Sequence, residues 1–278
     1  MTIEVSDRAK VLVEALPYIR RFHGQIVVVK VGGNAIEQRK EETLLDVVLL
    51  RYVGMLPVLV HGGGPEITAM SERLGISAEF RNGLRVTDAK TMEVVKMVLT
   101  GKVNPDLVAT LNRLGGQAVG MSGEDGPSII AEALGAELGF VGRVTQINPE
   151  PITALVERGY VPVIASIGLG YDGNAYNINA DTVAAEVAVA LGAVKLILLT
   201  DVPGVLGSDQ QVVSEIKRAR AEAMISSGQV SGGMIPKLQA CLRSLDAVPY
   251  AHIIDGRTPH SLLLELFTEA GVGTMVTP

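Results

Sequence analysis

The feature that most limits the fold of this chain is the alternation of short apolar runs with stretches of helical spacing. Glycines stand where intervening helices are expected to end, at Gly75, Gly101, Gly115, Gly159 and Gly192. Such alternation is typical of right-handed crossovers and of a mainly parallel sheet with helices on both faces. We therefore predict an α/β fold, a three-layer αβα sandwich with an open, mainly parallel central sheet. The predicted strands lie near residues 25–31, 57–60, 118–121, 161–167, 196–199 and 251–254.

An amphipathic helix is predicted ahead of the first strand, over residues 1–23. Leu12, Leu16 and Ile19 recur there at helical spacing behind polar residues that are suited to a cap. Acidic residues interrupt the segment and it has no continuous apolar run, so we expect no secretory signal and a cytoplasmic protein. The single cysteine, Cys241, excludes an internal disulfide and fits a reducing compartment.

The bulk composition argues against two classes of partner. Hydrophobic residues make up 47% of the 278 residues, but Gly and Pro break every apolar stretch well short of the roughly 20 residues that a membrane span needs. The net charge is -6 and there is no basic run, so we expect neither a membrane nor a nucleic-acid partner. An anionic ligand must then be held by a few local positive groups.

Three glycine-containing turns follow predicted strands, at 30–33 (KVGG), 61–65 (HGGGP) and 200–205 (TDVPGV). Ligands of open α/β sheets bind beyond the carboxyl ends of the strands. Glycines let the backbone approach a phosphate closely, and the helix N-terminus behind adds partial positive charge. One such turn alone is ordinary, but three at three strand ends favour an anion site, with Lys30 placed to meet the anion.

Several familiar catalytic motifs are missing. The sequence contains no Walker A motif, no protein-kinase H-R-D or D-F-G motif and no G-x-S-x-G nucleophile elbow. A G-x-G-x-x-G pattern does occur at 168–173, but residues 174–180 separate it from the next helical pattern. A dinucleotide site needs the helix to begin within the motif, so we do not expect a Rossmann dehydrogenase.

Five polar positions stand out, and three of them, Asp181, Lys237 and Arg85, also have an ordinary structural alternative. Asn177 points to the same side as Asn179 if the segment is extended, and Asp181 stands where it can cap the next helix. Lys237 lies near a predicted helix start, where a surface lysine is the plainer interpretation. Arg85 is expected on a turn before a helix, suited either to a bidentate grip on a carboxylate or to a surface salt bridge.

Taken together and in order, the segments KVGGNA, VLVHGGGPEI, NGLRVTD, YNINADTVA, LLTDVPGV and GGMIPKL resemble the amino-acid kinase superfamily. Within it they resemble the N-acetylglutamate kinase family, whose carbamate kinase-like fold agrees with the predicted sandwich. That family uses ATP to convert N-acetyl-L-glutamate to N-acetyl-L-glutamyl 5-phosphate in arginine biosynthesis. The resemblance implies an oligomerisation helix at 1–23, a lobe for the amino acid and dimerisation at 24–175, and a lobe for ATP and arginine at 176–278.

The resemblance also assigns site residues. Lys30 and Lys237 would stabilise the transferring phosphoryl group, and Asp181 would orient both lysines. The residues that would bind the amino acid are Gly63, Gly64, Arg85, Asn177 and Asn179. ATP, with Mg2+ held mainly through its phosphates, would contact Gly32, Gly33, Thr200, Asp201, Val205, Leu206, Val230, Ser231 and Gly233.

The C-terminal segment and the first helix resemble the arginine-inhibited branch of the family. An L-arginine site would then include His252, Glu265 and Gly271, and the chain would form a homo-oligomer, a dimer assembled into a trimer of dimers. A solvated helix residue is the alternative for Glu265. The chain departs from the family at Glu124 and Ser166, where relatives often carry Lys and Pro.

The expected chemistry needs no general base, because a carboxylate with an ordinary pKa near 4.3 is already ionised at pH 7. What must be overcome is the repulsion between this anion and a polyanionic donor, by positioning and electrostatic stabilisation. Two alternatives stay open. One is a sister kinase for an acetylated or carrier-linked aminoadipate, since one methylene of pocket depth is invisible in sequence. The other is a non-catalytic arginine or nucleotide sensor on the same fold.

Overall fold

The structure is a computed structural model that describes residues 5–32, 34–268 and 271–278. The helices are α1 (Val5–Phe22), α2 (Asn34–Tyr52), α3 (Gly64–Arg73), α4 (Ala89–Val98), α5 (Asn104–Arg113), α6 (Glu150–Glu157), α7 (Ala180–Ala190), α8 (Arg218–Ser226), α9 (Met234–Ser244) and α10 (Ser261–Phe267). The strands are β1 (Ile26–Val31), β2 (Leu56–His61), β3 (Phe80–Arg81), β4 (Leu84–Arg85), β5 (Ala118–Ser122), β6 (Ile129–Ala133), β7 (Gly142–Ile147), β8 (Val161–Ala165), β9 (Ile167–Gly170), β10 (Ala175–Asn177), β11 (Lys195–Thr200), β12 (Glu215–Lys217), β13 (Ala251–Asp255) and β14 (Thr274–Thr277).

The central sheet has the strand order β12-β14-β13-β11-β1-β2-β8-β5. Its pairs are parallel except β13 with β14. Alternate residues of β1 enter different cores: Val28 packs with α7 and α9, whereas Val27 and Val29 pack with α2 and α10. A strand buried on both faces must be apolar throughout, which is the pattern the sequence carries. The predicted αβα sandwich with an open, mainly parallel sheet is confirmed.

A second, four-stranded sheet of order β10-β9-β6-β7 adjoins the first and was not predicted. The predicted strand at 161–167 is wrong in extent, because β8 ends at Ala165 and β9 begins in the second sheet at Ile167. Ser166 is the break between them. Its N–H donates to the oxygen of His61 over 3.2 Å, and its own oxygen accepts from the Ile178 N–H over 3.1 Å. The boundary expected between residues 175 and 176 falls inside β10.

The glycines that were expected to end helices behave in two ways. Gly75, Gly115, Gly159 and Gly192 each follow a helix with positive φ, as predicted. The expectation for Gly101 is wrong, because this residue lies inside a π-helical turn, Leu99–Val103, that carries α4 directly into α5. The wider turn keeps the chain helical through the glycine, and π-helical turns of this kind occur frequently at functional sites.

The N-terminal helix exposes part of its apolar surface. Leu12, Val13 and Leu16 of α1 are 74%, 68% and 42% exposed. No helix among the described residues is both long and apolar enough to cross a membrane. The single cysteine, Cys241, is buried on α9.

The register of the parallel strands aligns their carboxyl ends. Lys30 of β1 pairs with Val60 of β2 on one side and with Leu198 of β11 on the other. The turns that follow β1 and β2 therefore emerge side by side. This edge of the sheet holds the candidate site.

Candidate active site

A cleft of about 370 Å³ opens at the carboxyl ends of β1 and β2. It brings together residues that lie far apart in the sequence and that come from strands, turns and helix N-termini. The expected site residues that line it are Lys30, Gly32, Gly63, Gly64, Arg85, Asn177, Asn179, Asp181, Gly233 and Lys237. Phe80, Leu84, Leu99, Val141, Ser166 and Ile178 also line it.

A carboxylate between two lysines forms the charged centre of this cleft. Lys30 Nζ is 2.9 Å from Asp181 Oδ1, and Lys237 Nζ is 3.0 Å from Asp181 Oδ2. The Asp181 side chain is 5% exposed, and the lysine side chains are 11% and 16% exposed. Burial alone raises the pKa of Asp181, but the two ammonium groups outweigh that effect and hold its pKa below the ordinary value. The two cations thus converge on one ionised group.

The local sequence explains why Asp181 is available for both lysines. Asn179, not Asp181, is the N-cap of α7, and its Oδ1 accepts from the N–H groups of Asp181 (2.8 Å) and Thr182 (3.3 Å). The capping role expected for Asp181 is therefore wrong. Because Asn179 satisfies the helix end, the Asp181 carboxylate in the first turn of α7 can face Lys30 and Lys237.

The turn between β2 and α3 presents backbone N–H groups to the cleft. Gly63 is the N-cap of α3 and has no side chain to bond the first helical N–H groups, which leaves them open to a ligand. A Cβ at Gly63 would lie 2.7 Å from Leu99 Cδ2 and 3.2 Å from Val103 Cγ2. A larger residue at this position would therefore force the Leu99 side chain in the π-helical turn to move.

Arg85 lies in β4 of a short hairpin, not on a turn immediately before a helix as expected. Its Nη2 donates to the Gly64 oxygen over 3.0 Å and to Thr68 Oγ1 over 2.7 Å, and the Phe80 ring centroid is 4.7 Å from its Cζ. Its Nη1 is buried and has no hydrogen-bond partner among the described residues. Among the residues that the structure describes, Arg85 has no salt-bridge partner, so the alternative of a surface salt bridge finds no support there. A buried guanidinium with one free edge is arranged to accept an anion.

The residues expected to contact the amino acid and the nucleotide are only partly brought together. Asn177 Nδ2 donates to Thr87 Oγ1 over 3.2 Å at the cleft wall. Thr200, the last residue of β11, lies outside the cleft, as do Asp201, Val205 and Leu206 after that strand and Val230 and Ser231 ahead of α9. Val205 and Val230 are buried in the core. Gly33 lies outside the described residues.

Some cleft residues escaped the sequence analysis although a signal was present. The Asn82-Gly83 pair between Phe80 and Arg85 is a hairpin signature, and both residues have positive φ. That hairpin places Phe80 over the Arg85 guanidinium. Leu99 carried no comparable signal, because its place against Gly63 depends on the π-helical turn.

A second cavity of about 350 Å³ contains the expected arginine-site residues. His252 Nδ1 is 2.6 Å from Glu265 Oε1, and Lys195 Nζ is 3.1 Å from His252 Nε2. Glu265 is 8% exposed, so the alternative of a solvated helix residue is wrong. Gly271 has a φ of 58°, and a Cβ there would lie 2.9 Å from Glu265 Oε2. Burial lowers the pKa of Lys195 to about 8.

Tyr18 and Arg21 of α1 also line the second cavity, with Phe22 next to them. The N-terminal helix therefore forms one wall of this cavity. Burial is the largest influence on the Glu265 carboxyl and raises its pKa, but the hydrogen bond from His252 and the neighbouring charges bring the pKa below its ordinary value. The cavity thus holds an ionised carboxylate beside a helix that exposes apolar side chains.

The fold and the first cleft together define a class of protein. An open α/β sheet with glycine turns, a free helix N-terminus and two lysines on one buried carboxylate is typical of enzymes that transfer a phosphoryl group between anions. The sequence profile described as Amino acid kinase family matches residues 25–255. The chain belongs to the amino acid kinase family.

Curated relatives match nearly the full chain. An acetylglutamate kinase of Thermosynechococcus vestitus is 55% identical and aligns over 98% of this chain and 94% of its own length. An acetylglutamate kinase of Syntrophomonas wolfei is 51% identical over 99% of both chains. Among solved structures, the N-acetylglutamate synthase of Neisseria gonorrhoeae, complexed with coenzyme A and N-acetyl-glutamate, matches with a TM-score of 0.87 at 24% identity. The match covers 97% of this chain and 63% of the synthase chain. The same synthase with coenzyme A and L-arginine gives a TM-score of 0.82 at 23% identity over 97% of this chain and 65% of that one, so this likeness shows the fold.

Proposed function

We propose that this protein uses ATP to phosphorylate the side-chain carboxylate of N-acetyl-L-glutamate, giving N-acetyl-L-glutamyl 5-phosphate for arginine biosynthesis. The observation that carries the proposal is the convergence of Lys30 and Lys237 on buried Asp181 inside a cleft lined by glycine N–H groups. The names of full-length relatives at about half identity support the same substrate. The retained lysine pair argues against a non-catalytic sensor.

The acceptor is held at both ends in this proposal. The free Nη1 of Arg85 binds its α-carboxylate beside Asn177 and Asn179, and the N–H groups of Gly63 and Gly64 bind the side-chain carboxylate. One oxygen of that carboxylate forms a bond to the γ-phosphorus of ATP. The bond from phosphorus to the bridging oxygen breaks, and its electron pair leaves with ADP. No proton needs to be moved, because the acceptor is already ionised.

Lys30 and Lys237 stabilise the negative charge on the phosphoryl oxygens in the transition state. Both ammonium groups are ordered by Asp181 before the reaction, so little reorganisation is required as that charge develops. Asp181 is thus a positioning group rather than a base. Its two oxygens are engaged by lysines, which limits the net positive charge of the cleft.

ATP is proposed to lie along Gly32, Gly33 and Gly233, with the segments 200–206 and 230–231 around the base and ribose. Within the described part of the chain, no three His, Cys, Asp or Glu side chains form a metal-binding group. The cleft offers ammonium and backbone N–H groups, which bind phosphate oxygens rather than metal ions. An Mg2+ ion would therefore be held mainly through the ATP phosphates. The ion would neutralise phosphate charge, and Lys30 and Lys237 complete that neutralisation.

The second cavity is the proposed site for feedback inhibition by L-arginine. A buried, ionised Glu265 is a suitable partner for a guanidinium. The wall formed by α1 makes that helix the proposed link between arginine and assembly, through its exposed Leu12, Val13 and Leu16. We propose a homo-oligomer of dimers, up to a hexamer. Residues 24–175 would serve the acceptor and the dimer and 176–278 the nucleotide, in the cytoplasm where ATP is available.

Trapping of the acyl phosphate with hydroxylamine tests the proposed function. The protein is incubated with ATP, Mg2+ and either N-acetyl-L-glutamate or N-acetylaminoadipate, with and without L-arginine. Hydroxamate should form with N-acetyl-L-glutamate and decrease when arginine is added. Faster turnover of the aminoadipate would identify the sister kinase instead, and no hydroxamate with either acceptor, together with arginine binding, would identify a sensor.

A further inference from the structure

A buried histidine lies directly beneath the glycine turn and has no part in the roles assigned above. His61 ends β2 and is 1% exposed. Its Nδ1 is 2.9 Å from the oxygen of Gly62, and its Nε2 is 2.9 Å from Nδ2 of Asn104. Each ring nitrogen therefore has one hydrogen-bond partner.

The neighbours determine which ring nitrogen carries the proton. Nδ2 of Asn104 also lies 2.8 Å from the oxygen of Val163, and a carbonyl accepts only from a donor. The amide nitrogen thus faces both Val163 and His61, so Nε2 of His61 accepts. Nδ1 then carries the hydrogen and donates to the Gly62 oxygen. Burial lowers the pKa of His61 to about 4, which agrees with a ring that stays neutral.

The direction of the Gly62 oxygen fixes the direction of the next N–H group. In a planar trans peptide the C=O of one residue and the N–H of the following residue point to opposite sides. The Gly62 oxygen is held toward His61, so the Gly63 N–H points away from it, on the side of the cleft that Gly63 lines. Nothing in the described ranges accepts a hydrogen bond from this N–H.

The surroundings of Asn104 are built to keep it in this place. A Cβ at Gly120 of β5 would lie 1.9 Å from Asn104 Oδ1, so the edge strand makes room for the amide. Asn104 follows immediately after the π-helical turn, whose Leu99 and Val103 press against Gly63. One continuous helical segment therefore holds the glycine turn in two ways. Leu99 and Val103 pack against Gly63, and the Asn104 amide bonds to His61.

We propose that His61 is a positioning residue which, as the neutral Nδ1–H tautomer selected by Asn104, locks the Gly62–Gly63 peptide so that the Gly63 N–H faces the acceptor carboxylate. The proposal rests on the function proposed above, since it names how one donor of that site is aimed. His61 touches neither substrate, and its effect passes entirely through the peptide that it holds.

Two substitutions separate the two contacts of the ring. The amide of Asn reaches the place of Nδ1, and the amide of Gln reaches the place of Nε2. His61→Asn should keep the donor to Gly62 and retain kcat within about 5-fold, whereas His61→Gln should lower kcat about 100-fold, the cost of a small misplacement at the reacting centre. The KM for ATP should stay unchanged in both. Equal kcat values for the two variants, both folded by thermal melting, would overturn the proposal.

The tautomer itself can be measured without any substrate. Long-range 1H–15N spectra of the wild-type protein, labelled with 15N in its 4 histidines, distinguish a protonated from a bare ring nitrogen. The signals that vanish in His61→Asn belong to His61. They should show a protonated Nδ1 and a bare Nε2, unchanged between about pH 8 and pH 6 because the ring is buried. A protonated Nε2 would refute the proposal, whether or not the protein proves to make an acyl phosphate.

Discussion

Removal of one cation from the charged centre is the sharpest test of the proposed mechanism. In Lys237→Met a side chain of similar length loses its ammonium group, which lies 3.0 Å from Asp181 and is largely shielded from water. Loss of one preorganised donor in such a site costs roughly 2.7 to 4 kcal/mol of transition-state stabilisation, so kcat should fall about 100- to 1,000-fold. Lys30→Ala, which removes the other cation, should cause a loss of at least about 100-fold.

The fold should survive the Lys237 substitution. Asp181 keeps Lys30 at 2.9 Å, so the loss of stability should be smaller than the roughly 3 to 5 kcal/mol caused by leaving a buried charge unpaired. The assay is steady-state hydroxamate formation with both substrates varied, beside a thermal melt. The matched control is Lys217→Met, an exposed lysine outside the cleft that should leave kcat unaltered. A folded Lys237→Met protein with near-normal kcat would refute the role assigned to this lysine.

Three further predictions follow from other contacts. Arg85→Lys should raise the KM for N-acetyl-L-glutamate about 10-fold with an unchanged KM for ATP, because a single ammonium lacks the planar fork; equal changes in both constants would contradict this. Burial raises the pKa of Asp46 from 3.8 to about 6, although His260 at 2.6 Å partly offsets it. Because Asp46 ionises near pH 4 in the unfolded chain and only near pH 6 in the folded protein, the free energy of unfolding falls as the pH rises through this range. Asp46→Asn should therefore stabilise the protein by up to about 3 kcal/mol at pH 8 and should give no gain below pH 4, as measured by denaturant titration. Removal of residues 1–23 should leave a dimer that arginine inhibits less, as measured by light scattering and inhibitor titration; a hexamer inhibited as before would exclude the proposed role of α1.

The central strands could be predicted from sequence because burial on both faces leaves a continuous apolar run. β1, β2 and β11 are buried along nearly their whole length and were found within a residue or two of their ends. In the second sheet, β7 has one buried residue among its six, and β10 has only three residues. Such strands carry neither a continuous apolar run nor a clean alternation, so they could not be predicted from the sequence.

The candidate site could be predicted only in part, for a different reason. Lys30, Asp181 and Lys237 each have an ordinary structural role when considered alone, and only the register of β1 with its neighbours and the first turns of two helices bring them within 3.0 Å. Their joint role came from the family resemblance rather than from local pattern. His61 was missed because its partner Asn104 reaches it from a helix far along the chain.

The cysteine on the lysine-bearing helix provides a natural probe. Cys241 lies one turn beyond Lys237 on α9, fully buried, and its thiol pKa is raised by that burial. While α9 is packed on the sheet, a thiol reagent cannot reach Cys241. The rate of labelling therefore reports how often α9 detaches from the sheet. Ligands that stabilise the packed position of α9 should slow the labelling in proportion to their occupancy. Fluorescence or mass spectrometry can then follow the motion of this helix through a native side chain, without an engineered tag.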